Sequence, residues 1–273
     1  MPDEKPSPFS QPLPWELVAE GYAATTMNFL STYTQAALSE LDLKSDSRIV
    51  DVACGPGTVT RLLADQVASI DAIDFSAPML ELLRQYLSQH KITNVRPLLG
   101  DGQALPYADA SFDFGFSMFG LMFFPDRLQG FRELRRVLKP GGKAVVSSWA
   151  PVSDSPMMQL MFGALKAANP AMPEPKANTF NLENPDVFKS EMEAAGFKNV
   201  EIKRCTQYVE ATSLEHFWEF MTVGSAPIVL LRKNSGEEKW KDMEVAALAY
   251  LRQEMQRFPC QLGSDAWVGV GVG

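Results

Sequence analysis

The chain has 273 residues, with 25 Lys and Arg against 33 Asp and Glu, which gives a formal net charge of −8. That length suits one large domain, or two smaller ones, with a full apolar core. An acidic protein repels polyanions, so the charge argues against DNA, RNA and anionic membrane surfaces as partners. The 3 cysteines form no CxxC pair, which argues against a disulfide framework or a zinc site and favours a reducing compartment.

The N-terminal region divides into a proline-rich stretch and a helical segment. Prolines at positions 2, 6, 8 and 12 predict a disordered tail over residues 1–14. We find neither a secretory signal pattern nor the run of roughly 18 apolar residues that a membrane span requires, so we expect a cytoplasmic protein. Apolar residues at helical spacing then predict one or two lid helices within residues 15–46.

Short β-branched segments alternate with helical ones from residue 47 onward. The predicted strands cover residues 48–53, 70–73, 95–99 and 112–118, with a fifth inside 137–149. Ser76 is a predicted cap of the helix that follows the second strand. Parallel strands joined by crossover helices are the arrangement that this alternation predicts, which is a doubly wound α/β fold.

The C-terminal part has a looser pattern. Three prolines predict a loop over residues 168–180, and a helix follows that is capped by Asn184 and stopped by Gly196. Further predicted elements are a strand over 199–209, helices over 213–222 and 236–257, and a glycine-weakened last strand. We therefore predict a seven-stranded, mostly parallel core over 47–207, a helical lid insertion over 208–262, and the last core strand over 263–273.

Unusual residues follow the first three predicted strands. Ala53, Gly55 and Gly57 follow the first, Asp74 ends the second, and Asp101 follows the third. Ligands of doubly wound sheets bind outside the carboxyl ends of the strands, where glycines allow close backbone approach and an acidic residue bonds ribose hydroxyls. Each feature alone also fits a plain turn or a helix cap. The three together predict a nucleoside site.

Four segments carry a family resemblance: VDVACGPGT, AIDFSAPML, GDGQALPYADASFD and ELRRVLKPGGKAVVSSW. They resemble the successive motifs of class I S-adenosylmethionine-dependent methyltransferases, and the most similar branch is the ubiquinone and menaquinone biosynthesis type. The resemblance covers roughly residues 47–150. It implies a Rossmann-like methyltransferase fold, an enzyme with S-adenosyl-L-methionine as cofactor, and S-adenosyl-L-homocysteine as product.

The resemblance also implies which residues hold the cofactor. These are Tyr22, Asp51, Ala53, Gly55, Asp74, Phe75, Met79, Asp101, Gly102, Gln103 and Ser117. Within this set we expect Asp74 on the ribose, Asp101 at the adenine edge and Ser117 at the amino acid portion. Tyr22 resembles the lid tyrosine that reaches the methionine end, with core packing as its alternative role. Ala53 stands where the family usually has its first glycine.

An apolar run after the fourth strand, SMFGLMFFPD, lies where the acceptor should approach. It lacks the NPPY-like cluster typical of methyltransferases that act on nucleobase amino groups. The residues predicted to line a hydrophobic acceptor cavity are Trp15, Phe119, Phe123, Trp149 and Trp218. No carboxylate and histidine cluster suggests a metal. His216 is a candidate base, although a structural role is the more common one for such a histidine.

These observations favour methyl transfer to C or O of a small hydrophobic metabolite, such as a quinone, polyketide, sterol or lipid-like molecule. A non-catalytic, S-adenosylmethionine-binding regulatory subunit is the alternative. A nicotinamide oxidoreductase is disfavoured, because VDVACGPGTVTR departs from GxGxxG and the chain has no YxxxK.

Overall fold

A computed structural model describes residues 7–172 and 182–273. Its seven strands are β1 (Arg48–Val52), β2 (Ser69–Asp74), β3 (Val95–Leu99), β4 (Phe112–Met118), β5 (Leu138–Trp149), β6 (Lys198–Ala211) and β7 (Cys260–Val272). They form one sheet in the order β3-β2-β1-β4-β5-β7-β6. β1 to β5 are parallel, and β7 is antiparallel to both of its neighbours. The predicted seven-stranded, mostly parallel sheet is confirmed.

Ten α-helices occur in the described part of the chain. They are α1 (Pro12–Ala24), α2 (Thr26–Leu38), α3 (Thr58–Leu63), α4 (Ala77–Gln89), α5 (Arg127–Val137), α6 (Pro156–Ala168), α7 (Pro185–Ala194), α8 (Leu214–Gly224), α9 (Ala226–Ser235) and α10 (Glu237–Glu254). Short 3-10 helices cover Pro8–Ser10, Leu121–Phe123 and Val152–Asp154. Over these residues, no helix has both the length and the apolar character that crossing a membrane requires.

The predicted caps are confirmed. The Ser76 hydroxyl accepts a hydrogen bond from the Met79 N–H at 3.4 Å and so begins α4. The Asn184 side chain accepts from the N–H of Asp186 at 2.9 Å and begins α7. Each cap satisfies a backbone donor that has no partner within its helix.

Apolar side chains fill both faces of the sheet, because successive residues of a strand point to opposite faces. Ile49 lies in a cluster with side chains of α2, α3, α4, α6, α8 and α10. Val50 and Val52 lie in the opposite cluster, which α5 and α7 cover. This two-sided burial holds the carboxyl ends of β1, β2 and β4 along one edge of the sheet.

The structure corrects two predicted boundaries. Residues 7–14 were predicted as tail, but Pro8 and Pro12 each occupy the first turn of a helix, where proline is favoured. The helical insertion was predicted over 208–262, but β6 and β7 pair as far as Ala211 and Cys260, which shortens it. Residues 173–181 of the predicted loop lie outside the described part, as do residues 1–6 of the predicted tail.

Candidate functional site

Two adjoining cavities lie at the carboxyl ends of the parallel strands. The small cavity, of about 420 Å³, is bordered by the ends of β1, β2 and β4 and by the loop after β3. The large cavity, of about 870 Å³, extends between the N-terminal segment, α2, α6 and the connection from α8 to α9. Both share the lining residues Phe9, Ser10, Trp15, Tyr22, Phe119, Phe123, Phe124 and Pro125, which we call the junction.

The turn after β1 presents bare backbone to the small cavity. Gly55 has a left-handed φ of 54°, and a Cβ placed on it would meet no protein atom within 4 Å. Ala53 has a left-handed φ of 56°, which fits its place at a position where the family usually has glycine. The Cys54 N–H donates to the Ile73 carbonyl at 3.1 Å and ties the turn to β2. A ligand can therefore approach this backbone closely.

Asp74 connects the ends of β1 and β2 and lines the small cavity. One carboxylate oxygen accepts the Gly55 N–H at 2.8 Å, and the other accepts the Ser76 N–H at 2.8 Å. Each oxygen has a second lone pair, so two ligand hydroxyls can still be accepted. Burial raises the pKa of Asp74 to about 6, against the effect of these backbone hydrogen bonds.

Asp51 lies beneath the small cavity and does not line it. Its carboxylate accepts a hydrogen bond from the Thr60 hydroxyl at 2.8 Å, which ties β1 to α3. Burial, together with the nearby Asp74, raises its pKa from 3.8 to about 7, against the effect of the Thr60 hydrogen bond. The folded state therefore holds this proton more tightly than the unfolded chain does. The resulting stabilisation is full below pH 3.8 and is lost as the pH rises through about 7.

The loop after β3 forms another wall of the small cavity. Its Asp101 carboxylate accepts the Gln103 N–H at 2.8 Å, and the Gln103 side-chain oxygen accepts the Asp126 N–H at 2.9 Å. A Cβ on Gly102 would lie 2.5 Å from the Phe124 ring, so only glycine fits there. The loop is thus fixed against the start of α5.

Tyr22 reaches the junction from α1. Burial and the nearby Asp74 raise the pKa of its hydroxyl, so Tyr22 stays neutral. Phe119 follows β4 with a left-handed φ of 60°, and its N–H donates to the Ser147 hydroxyl at 2.9 Å. The Phe119 ring lies 4.3 Å from the Trp149 ring, centroid to centroid. Strained backbone of this kind clusters at functional sites.

The structure brings most of the predicted cofactor residues together. Those that line the small cavity are Tyr22, Ala53, Gly55, Asp74, Phe75, Met79, Asp101, Gly102 and Gln103. Ser117 does not, because its side chain is fully buried and its hydroxyl accepts the Leu121 N–H at 3.1 Å. The residues just after it, from 118 to 120, border the cavity instead.

Four of the five predicted acceptor residues line a cavity: Trp15, Phe119 and Phe123 lie at the junction, and Trp149 lies in the large cavity. The prediction for Trp218 is wrong. Its ring stacks on Trp240 with a centroid distance of 6.1 Å, and its N–H donates to Glu244 at 2.6 Å. Helical spacing of apolar residues identifies a buried face without telling what that face contacts.

The structure also places His216 away from both cavities. It is exposed in the first turn of α8, where its backbone N–H donates to the capping Ser213 hydroxyl at 3.1 Å. A base must lie within hydrogen-bond reach of the proton it removes, and His216 lines neither cavity, which favours the structural role that its sequence context indicates. Among the described residues, no group of three His, Cys, Asp or Glu side chains is placed to hold a metal ion.

Sequence reasoning missed several cavity residues. Phe9 and Ser10 line both cavities although they fall in the predicted tail, and Met157, Met158 and Met161 line the large one from α6. The signals for the first group were an aromatic residue among prolines and two prolines at helix starts. α6 has a nearly all-apolar sequence, PMMQLMFGALKAA, whose buried and exposed faces are hard to separate.

Comparisons with known proteins agree with this geometry. The sequence profile of the family described as Methyltransferase domain matches residues 49–142. The demethylmenaquinone methyltransferase of Shouchella clausii is 30% identical over 189 residues, which cover 64% of this chain and 80% of the relative. That of Staphylococcus aureus strain Newman is 31% identical over 196 residues, 67% of this chain and 80% of the relative. The chain belongs to the class I S-adenosylmethionine-dependent methyltransferases.

Solved structures show the same methyltransferase fold. The YcgJ protein of Bacillus subtilis has a TM-score of 0.58 at 15% identity and covers 87% of this chain and 96% of its own. The [4+2]-cyclase SpnF has a TM-score of 0.57 at 19% identity, and the match covers 88% of this chain and 80% of the SpnF chain. The methyltransferase uses S-adenosylmethionine, and the small cavity fits that group, since it combines the bare backbone at Gly55 with the buried acceptor Asp74.

Proposed function

We propose that this methyltransferase acts on C or O of a small hydrophobic metabolite, such as a quinone, polyketide, sterol or lipid-like molecule, bound in the large cavity. The observation that carries the proposal is the cavity itself. Its volume of about 870 Å³ lies near the upper end of the usual range for small-molecule sites. It adjoins the small cavity at the junction.

The lining of the large cavity is mostly apolar. Five methionines contribute to it: Met122, Met157, Met158, Met161 and Met221. Methionine side chains are flexible and polarisable, so they adapt to irregular apolar ligands. The two curated relatives are named for demethylmenaquinone, a quinone, and that name supports the same chemical class here.

We assign the small cavity to the cofactor. Asp74 would accept the ribose hydroxyls, the turn containing Ala53 and Gly55 would contact the methionine portion, and Phe75 with Met79 would flank the adenine. The loop residues Asp101 to Gln103 would bind the adenine edge. These roles are the ones that the family resemblance implies, and the lining of the small cavity by all of these residues supports them.

S-adenosylmethionine, when bound, supplies a methyl group already activated on a sulfonium. The protein therefore needs chiefly to align the acceptor and to exclude water. The neutral Tyr22 hydroxyl provides a polar contact at the junction, and the rings around it keep the transfer region dry. Asp51 supports the turn from below through Thr60.

The test begins with mass spectrometry of small molecules that co-purify with the protein. A labelled-methyl transfer assay on that fraction, and on a panel of quinols, polyketides, sterols and lipids, should give labelled product that partitions into organic solvent. Ala226→Phe, which adds a ring at the large cavity, should reduce turnover of bulky acceptors while retaining cofactor affinity. Labelling of polar acceptors alone would refute the proposed substrate class.

A further inference from the structure

The junction between the two cavities is aromatic and uncharged. Six of its eight residues carry aromatic rings, and these are Phe9, Trp15, Tyr22, Phe119, Phe123 and Phe124. The other two are Ser10 and Pro125. Asp74, which lines the small cavity, is not part of the junction, and the proposed ribose hydroxyls would occupy the lone pairs that its two backbone hydrogen bonds leave.

Three of these rings contact one another. The Trp15 and Phe123 centroids are 5.1 Å apart, Phe9 and Phe123 are 5.9 Å apart, and Phe9 and Trp15 are 6.4 Å apart. The indole N–H of Trp15 donates to the Phe9 carbonyl at 2.9 Å, which fixes the indole orientation. The N-terminal segment and the 3-10 helix after β4 thus hold this triad rigidly.

Methyl transfer requires direct contact between the donor methyl group and the acceptor nucleophile. The sulfonium must therefore lie where the two cavities meet, next to the junction. The face of an aromatic ring attracts cations, most strongly for tryptophan and when water is excluded. The six rings, together with the hydroxyl oxygens of Ser10 and Tyr22, are the side-chain groups at the junction that can offset the cost of removing this cation from water.

We infer that the rings of Trp15 and Phe123 bind the sulfonium and make the site prefer the charged donor to its neutral product. When the acceptor's electron pair forms the new bond to the methyl carbon, the sulfur keeps the electrons of the broken bond and becomes a neutral thioether, while the positive charge passes to the methylated acceptor, which loses it as a proton to water. The attraction to the rings then disappears, which favours product release. This inference rests on the proposed assignment of the small cavity to the cofactor.

The test measures donor selectivity without any acceptor. Calorimetry would give the affinities of wild type, Trp15→Leu and Phe123→Leu for S-adenosylmethionine and S-adenosylhomocysteine. We expect the affinity for the sulfonium to fall by about 3- to 10-fold in each variant and that for the thioether to change by less than about twofold. A cofactor analogue with an ammonium group in place of the sulfonium should behave as the sulfonium does.

Matched variants separate a ring effect from loss of packing. Phe123→Tyr and Trp15→Phe keep a ring and should keep most of the selectivity. Trp149→Leu removes a ring that lines the large cavity alone, so the affinity ratio of the two ligands should stay at the wild-type value.

An equal loss of affinity for both ligands in Trp15→Leu and Phe123→Leu would overturn the inference, as would an equal change of the ratio in Trp149→Leu. If wild type bound neither ligand, the cofactor assignment would fall together with the inference. Failure of the acceptor panel, by contrast, would affect the substrate proposal alone, because these measurements use no acceptor.

Discussion

Gly120 is the position where one added methyl group should disturb the proposed cofactor site most directly. A Cβ on Gly120 would lie 2.4 Å from the Ala53 Cβ, whereas the Ser117 hydroxyl at 3.3 Å would be only slightly too close and the Ala53 carbonyl at 3.5 Å would be in ordinary contact. Gly120→Ala therefore creates one severe clash, and that clash is with the turn after β1.

Neither partner can relieve this clash by side-chain rotation, because both atoms are Cβ atoms fixed by the backbone. The Cys54 N–H holds the turn to Ile73, and the Gly120 carbonyl accepts the Phe123 N–H at 3.0 Å. Overpacking of this kind costs about 1–3 kcal/mol. The displaced turn carries Ala53 and Gly55. If the turn relaxes in the free protein and binding must restore about 1.4 kcal/mol of the strain, the affinity for S-adenosylmethionine should fall by about tenfold.

Ala53→Gly should rescue Gly120→Ala, because it removes the other atom of the clash. On its own, Ala53→Gly relieves a left-handed backbone at φ 56°, but it also adds freedom to the unfolded chain, so its net effect should stay within about 1 kcal/mol. Chemical denaturation of wild type, both single variants and the double variant gives the coupling energy, and calorimetry gives the affinities. Additivity within about 0.5 kcal/mol would refute the reasoning.

Three further predictions test the acidic and histidine residues. Asp74→Ala should weaken S-adenosylmethionine binding by at least about tenfold, because charge-assisted hydrogen bonds are each worth about 1.5–3 kcal/mol; unchanged affinity in calorimetry would remove its assignment. Asp51→Asn keeps an acceptor for the Thr60 hydroxyl and removes a carboxyl group whose pKa is raised to about 7, mainly by burial. Its melting temperature should exceed that of wild type at pH 8, and the gain should shrink towards pH 4; an equal gain at both would contradict this. His216→Ala should leave methyl transfer to the identified acceptor within about twofold of wild type, and a large loss would return His216 to the list of candidate bases.

The parallel part of the sheet was predictable from sequence because its strands read as short apolar segments that alternate with helical ones. β3 and β4 begin and end where they were predicted, at Val95–Leu99 and Phe112–Met118. β6 and β7 were predicted too short. They form the antiparallel end of the sheet, where β6 is an edge strand with many polar residues, so periodicity fades towards its ends.

The small cavity was predictable where backbone chemistry dictates residue type. Gly55 and Asp74 stand out because a ligand-facing turn and a strand-end acceptor restrict the choice of residue. The large cavity was less predictable, since its apolar lining uses the same residues as an ordinary core. Trp149 and Trp218 look alike in sequence, and it is the tertiary partner of each ring, Phe119 for one and Trp240 for the other, that separates cavity wall from core.

The two cavities meet where two neighbouring strands end in strained residues. Ala53 after β1 and Phe119 after β4 both adopt left-handed backbone, which costs a non-glycine residue about 1–2 kcal/mol. Each is held by a hydrogen bond from the sheet: the Cys54 N–H bonds to Ile73, and the Phe119 N–H bonds to Ser147. Because β1 and β4 are paired and buried on both faces, the sheet can bear this cost. The strain turns the Phe119 side chain to the junction and the Ala53 turn to the small cavity, so the stability of the core is what keeps the proposed donor and acceptor sites in contact.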